Sequence, residues 1–126
     1  MIIRYADQAR EVEIAATEQE LLELSEKLKE GNLQVESNAK GYDVHPYSRF
    51  LSEIQVRIIP GHLVEFQVIQ QEKLFIQGDY QKISILAEEI LEFAKDCNQG
   101  EHIHIEYFDS HFYLSPNSVP VVIVHL

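Results

Sequence analysis

The sequence predicts an α+β fold, a mixed or mainly antiparallel sheet carrying two helices on one face. Three observations point to it. The first is an approximate internal repeat. Residues 11–36 (EVEIAATEQELLELSEKLKEGNLQVE) and 74–106 (LFIQGDYQKISILAEEILEFAKDCNQGEHIHIE) share one order: short strand, capped amphipathic helix, glycine stop, second strand. Setting Thr17 against Asp79 puts Leu21 on Ile83, Leu24 on Leu86, Ser25 on Ala87 and Leu28 on Ile90. The second observation is the stretch between the units, where Ile54, Val56 and Ile58 alternate with polar residues, as do Val64, Phe66 and Val68. The third is size. With 126 residues, 45% apolar and 25% charged, the chain suits a single domain, 1–126, with a core of its own.

The elements follow in order. Residues 2–7 and 11–16 are strand-like, the first suited to an edge or a tail. Thr17 and Glu20 make a capping box, in which the hydroxyl accepts from the amide three residues on and the carboxylate reaches back. Leu21, Leu24, Ser25 and Leu28 then form one helical stripe, which Gly31-Asn32 ends. Leu33 and Val35 alternate as a half-buried strand. Residues 37–52 have no period and read as a long connection, the kind that serves recognition when it is ordered. They carry Tyr42, Tyr47 and Phe50, rings that either bind a partner or pin the loop to the core. Residues 53–71 read as a hairpin. Its Pro60-Gly61 favours a type II turn, which splays strands, so more than two residues are expected in the loop. Asp79 caps the second helix, whose stripe runs through Ile83, Leu86, Ala87, Ile90, Phe93 or Ala94, and Cys97. A thiol on that stripe reads as inert packing. After Gly100 comes the strand EHIHIEYF, then a loop over 109–118, and VPVVIVHL closes the chain. Its continuous Val/Ile run predicts a strand buried on both faces, with Pro120 at its start.

Charge and cysteine content narrow the function. The net charge of −11 and the lack of a Lys/Arg cluster argue against nucleic acid, which needs a basic patch to displace counterions. A basic partner fits better. Residues 1–36 hold nine acids against four bases, and 72–109 hold nine against three. The acidity thus lies in the two repeat units, either as solvated helix faces or as a docking surface. No apolar run is long enough for a bilayer, and MIIRYADQAR lacks the apolar core of a secretory signal. A single Cys97 allows no internal disulfide and no CxxC zinc site. The expected location is cytoplasmic.

One constellation bears on chemistry. His102, His104 and Glu106 alternate with Ile103, Ile105 and Tyr107, so the two sets share opposite faces of a strand. The isoleucines should meet the helices, leaving the His-His-Glu row on the open face of the sheet. Two histidines about 6.5–7 Å apart at Cα can converge on a divalent metal, with Glu106, Asp109, His111 or His125 completing the set. Chance alternation produces the same pattern. No GxSxG elbow and no glycine-rich phosphate loop is present. Catalytic and cofactor-binding residues are therefore not assigned.

The stretches FIQGD, ISILAEEILEFA, GEHIHIEYF and LSPNSVPVVIV resemble the immunity protein 32 family of bacterial polymorphic-toxin systems. The resemblance covers the C-terminal half. It implies a small α+β protein that binds and neutralises a cognate toxin domain, and it carries no catalytic residue across. The expected function is a non-enzymatic binding protein with a protein partner, a basic toxin by charge, bound through Glu88, Glu89 and Glu92 and through the aromatic loops 42–50 and 107–113. The alternatives are a metal protein or hydrolase using the histidine strand, and a homodimer paired through the open sheet face.

Overall fold

The computed structural model describes residues 1–31 and 34–126. Its elements are β1 (Ile2–Ala6), β2 (Glu11–Ala16), α1 (Glu18–Glu30), β3 (Gln34–Glu36), β4 (Arg49–Phe50), β5 (Glu53–Ile58), β6 (Glu65–Ile69), β7 (Lys73–Gly78), α2 (Tyr80–Asp96), β8 (His102–Ile105) and β9 (Val121–His125). Asn32 of the expected helix stop and Leu33 of the expected strand lie outside the described residues.

The fold is α+β, but the strands form two sheets where one was expected. One has the order β4-β1-β2-β9-β8, the other β3-β5-β7-β6. The physical reason lies in the helices. β2 starts α1 from the first sheet, and the chain returns as β3 at the edge of the second. β7 starts α2 from the second sheet, and the chain returns as β8 at the edge of the first. Each helix thus crosses from one sheet to the other. The pairings repeat as well: β1/β2 and β6/β7 are antiparallel hairpins, β3/β5 and β8/β9 are antiparallel, and β5/β7 and β2/β9 are parallel. The chain is two interlocked ββαββ halves related by a pseudo-twofold.

The hairpin expected over 53–71 does not form. β5 and β6 flank β7 from opposite sides, and β6 turns back onto β7 through Gln70 and Gln71, both at positive φ. Alternation identifies a strand and its buried face, not its neighbour. A connection longer than two residues around Pro60-Gly61 leaves room for β7 to slot between them.

The helices are ordered by local chemistry. Thr17 Oγ1 accepts from the Glu20 amide at 3.2 Å, and Glu20 accepts from the Thr17 amide at 3.0 Å. Asp79 accepts from the Lys82 amide at 2.8 Å. Leu21, Leu24, Ser25 and Leu28 of α1 face Ile83, Leu86, Ala87, Ile90 and Ala94 of α2 and the inner faces of both sheets, in one core. The apolar void where the two helices meet both sheets is about 10 Å³, at the limit of one water. Cys97 caps α2 half-buried, and burial pushes its thiol pKa up. β9 lies between β2 and β8 with Val121, Val122 and Ile123 buried, the interior strand that its composition predicts. β1, expected at an edge or as a tail, is instead interior, because the 37–52 stretch supplies β4 on its outer side, and Ile2 and Ile3 are buried.

Gly78 sits where β7 passes under the start of β6. A Cβ there would lie 2.9 Å from Val64 Cα and 3.1 Å from the Leu63 carbonyl oxygen. Backbone cannot swing aside as a flexible side chain does. Gly78→Ala is expected to cost about 1–3 kcal/mol, read as a lower urea midpoint with unchanged slope. The Asp79 carboxyl is held below its ordinary 3.8, first by the Lys82 amide. A carboxyl with a depressed folded pKa stabilises above its unfolded value, and the contribution disappears as pH falls through the folded value. Asp79→Asn, which can still cap, should therefore flatten the loss of stability below about pH 5. Urea titrations at neutral and acid pH would show it, and parallel pH profiles for the two proteins would count against it.

Candidate functional site

β8 pairs with β9 on one side only, and no described residue pairs with its other side. The His125 amide donates to the Glu101 carbonyl at 2.9 Å, directly across the ladder. Antiparallel bonding alternates, so residues 103 and 105 also bond β9, while the amides and carbonyls of His102 and His104 point to the open edge. Their rings are exposed on the outer face with centroids 5.1 Å apart at 82°. Ile105 is buried in the core and Ile103 packs against it. The alternation read from the sequence thus places the residues of β8 on the expected faces.

Beside this edge runs α2. Glu89, Glu92, Phe93 and Asp96 line an open groove with His102, Ile103 and His104. The three expected glutamates differ in state. Glu88 is paired with Lys29 of α1, which fastens the two helices. Glu89 accepts from the Tyr113 hydroxyl, whose pKa is pushed up first by burial and then by that carboxylate, so the phenol stays a donor. Glu92 and its neighbour in the groove, Asp96, make no ion pair among the described residues.

Past Glu106, which lies beyond the end of β8, the loop over 107–113 carries the most exposed large apolar side chains of the described residues, Phe108 at 62% and Phe112 at 69%, with Tyr107 also exposed. His111 is their pivot. Its ring lies against Tyr107, Phe108, Phe112 and Tyr113, and its Nδ1 accepts from the amides of Tyr113 (3.3 Å) and Leu114 (3.1 Å). The next residues bond β6, Val64 donating to the Tyr113 carbonyl at 2.8 Å and Ser115 to the Val64 carbonyl at 2.7 Å. The exposed rings therefore stand on an anchored loop. As to the metal set, His111 is occupied within this loop, and no group of three or more His, Cys, Asp or Glu among the described residues is placed to hold an ion.

The other aromatic loop lies elsewhere. Residues 37–52 run along β1, with the Ser48 amide on the Tyr5 carbonyl, the Leu51 amide on the Ile3 carbonyl, and Arg4 Nε on the Asp43 carbonyl. Its end is β4, so the stretch is not structureless. Tyr47 donates to Glu11 at 3.4 Å, and its pKa rises to about 12, mainly through burial and then through Glu13 and Glu11. Phe50 is half-buried in β4, and Tyr42 is exposed. Sheet order puts this loop at the β1 side and the histidine strand at the opposite edge. The structure does not bring Tyr42, Tyr47 and Phe50 together with Glu89 and Glu92. Asp96 was not among the residues singled out in the sequence, although its spacing of four from Glu92 puts it on the same helical stripe.

Residues 73–126 match the model of the immunity protein 32 family. That stretch, less than half of the chain, runs from β7 to the C-terminus and agrees with the resemblance carried by GEHIHIEYF and the closing strand. No curated protein and no solved structure matches the chain. No helix among the described residues is long and apolar enough to cross a membrane.

Tyr113→Phe removes the hydroxyl that ties the aromatic loop to α2. It should cost about 1 kcal/mol, because the exposed Glu89 regains water, and it should speed amide exchange in the 107–113 loop more than in β6. Equal exchange in the two proteins would mean that the loop is held without this bond.

Proposed function

We propose that the chain is a non-enzymatic cytoplasmic binding protein that neutralises a protein toxin domain with a basic surface. One observation carries the reading. The acidic groove of α2 runs beside the free edge of β8, the Tyr113 hydroxyl ties the aromatic loop 107–113 to Glu89 of that groove, and all of these residues lie within the stretch that matches the immunity family. Its composition suits protein recognition. Rigid aromatic rings anchor a contact with little entropy loss, and unpaired carboxylates steer an oppositely charged partner. Glu92 and Asp96 supply that charge, while Glu88 is spent within the fold. Loop 42–50 keeps Tyr42 free, but its other rings and its Asp7–Arg49 pair serve the fold.

The test begins with capture from a lysate of the native host and ends with growth. The retained protein should arrest growth when expressed alone, and this chain should restore it. With that partner, Phe108→Ala combined with Phe112→Ala should weaken binding by at least about tenfold. Glu92→Lys should slow association, with the difference shrinking as salt rises. Tyr47→Phe should leave affinity unchanged. Retained proteins that never arrest growth, or a partner indifferent to the aromatic pair, would set the reading aside.

A further inference from the structure

We infer that β8 is an acceptor strand: an extended, lysine- or arginine-bearing segment of the partner adds to it and continues the five-stranded sheet. The inference rests on the toxin-binding reading for the partner's identity, though not for the chemistry of the edge.

A sheet edge leaves a row of unpaired amides and carbonyls, and folds blunt such edges with lysine, proline, bulges or cover. The second sheet ends at β6, where the backbone of 113–119 does the covering, Val64 on Tyr113, Ser115 on Val64 and Val119 on Phe66. β4 is two residues long, and the described part of β3 is three. β8 is four residues long and follows a bulge at Gly100-Glu101, where the Gly100 amide donates to the His125 carbonyl and the His125 amide to the Glu101 carbonyl, but from His102 on no described backbone covers its outer side. It carries no lysine and no proline, and its outward groups at His102 and His104 repeat at the spacing of a strand ladder, about 6.5–7 Å.

The groove identifies the occupant. In an added strand, alternate side chains would face α2, where Glu89, Glu92 and Asp96 wait without a cation, and the others would lie beside the exposed imidazoles. Basic residues at every second position therefore match the wall. A second copy of this chain does not, because pairing β8 with β8 would set two such acidic walls together on chains that each carry −11. The pseudo-equivalent groove between α1 and β3 contains its own cation, Lys27, among Glu20, Glu23 and Glu36. Of these two equivalent grooves, the one beside β8 has no lysine or arginine in its lining.

The test uses an end-capped octapeptide alternating lysine and valine, with a glutamate–valine octapeptide as control. The lysine peptide should bind saturably and shift the amides of His102 and His104 more than those of β3, while the glutamate peptide does not bind. Two further peptides carry N-methyl groups on the lysine or on the valine nitrogens. These block opposite edges of the added strand, so one of the two should lose at least about tenfold in affinity and the other should not. On the protein, His104→Pro removes an outward amide without breaking the β9 ladder and should abolish binding, with its fold checked by circular dichroism. Glu92→Lys, which leaves the backbone intact, should weaken binding at least about fivefold. No binding of the lysine peptide at millimolar concentration, equal binding of both N-methylated peptides, or shifts centred on another strand would overturn strand addition. The peptide assay contains no toxin. Its failure would leave the growth result standing, and a failed growth test beside a bound peptide would remove the toxin reading alone.

Discussion

The two helices meet where Ser25 Oγ donates to the Ala87 carbonyl oxygen at 2.8 Å, a buried bond across the centre of the molecule. The sequence repeat makes these two residues equivalent, so the pseudo-twofold passes close to this contact. Small side chains on both helices let the backbones approach here, and the hydroxyl is satisfied where a larger residue would hold the helices apart. Because each helix starts from one sheet and feeds a strand into the other, the crossing also fixes how the sheets face each other. Lys29 and Glu88 fasten the same pair of helices at the surface. Neither half can bury its apolar strand faces without the other.

The internal repeat makes two equivalent edges, and they are finished differently. In the first half β3 lies beside a groove with a lysine of its own. In the second half β8 is free of lysine and lies beside acids that make no ion pair among the described residues. Loop 37–52 supplies β4 and lies along β1, while its counterpart over 109–118 covers β6 and lifts aromatic rings away from the core. One half thus came to serve the fold and the other to face outward. The family match falls on the outward-facing half.

Much of this was legible from the chain. Capping residues and a helical period act over a few residues, so Thr17, Glu20, Asp79 and the two apolar stripes stand out in the sequence alone. The alternation of EHIHIEYF placed its isoleucines inward and its histidines outward for the same reason. Strand partners were not legible. Ile54, Val56 and Ile58 alternate identically whether β6 or β7 lies beside them, so the sequence suggests a hairpin where a third strand inserts. Two sheets were read as one because alternation reports a buried face without saying what buries it. The same limit applies to side chains that differ only in tertiary setting. Nothing local separates Phe50, half-buried in β4, from Phe112, exposed on its loop, or Glu88, paired with a lysine of another helix, from Glu92.

The most direct measurement is hydrogen exchange of the chain alone and in complex with its captured partner. The account requires new protection at the amides of His102 and His104 and through the 107–113 loop, with the amides of loop 37–52 unchanged. Protection confined to loop 37–52, or to the outer face of the β3-β5-β7-β6 sheet, would contradict it.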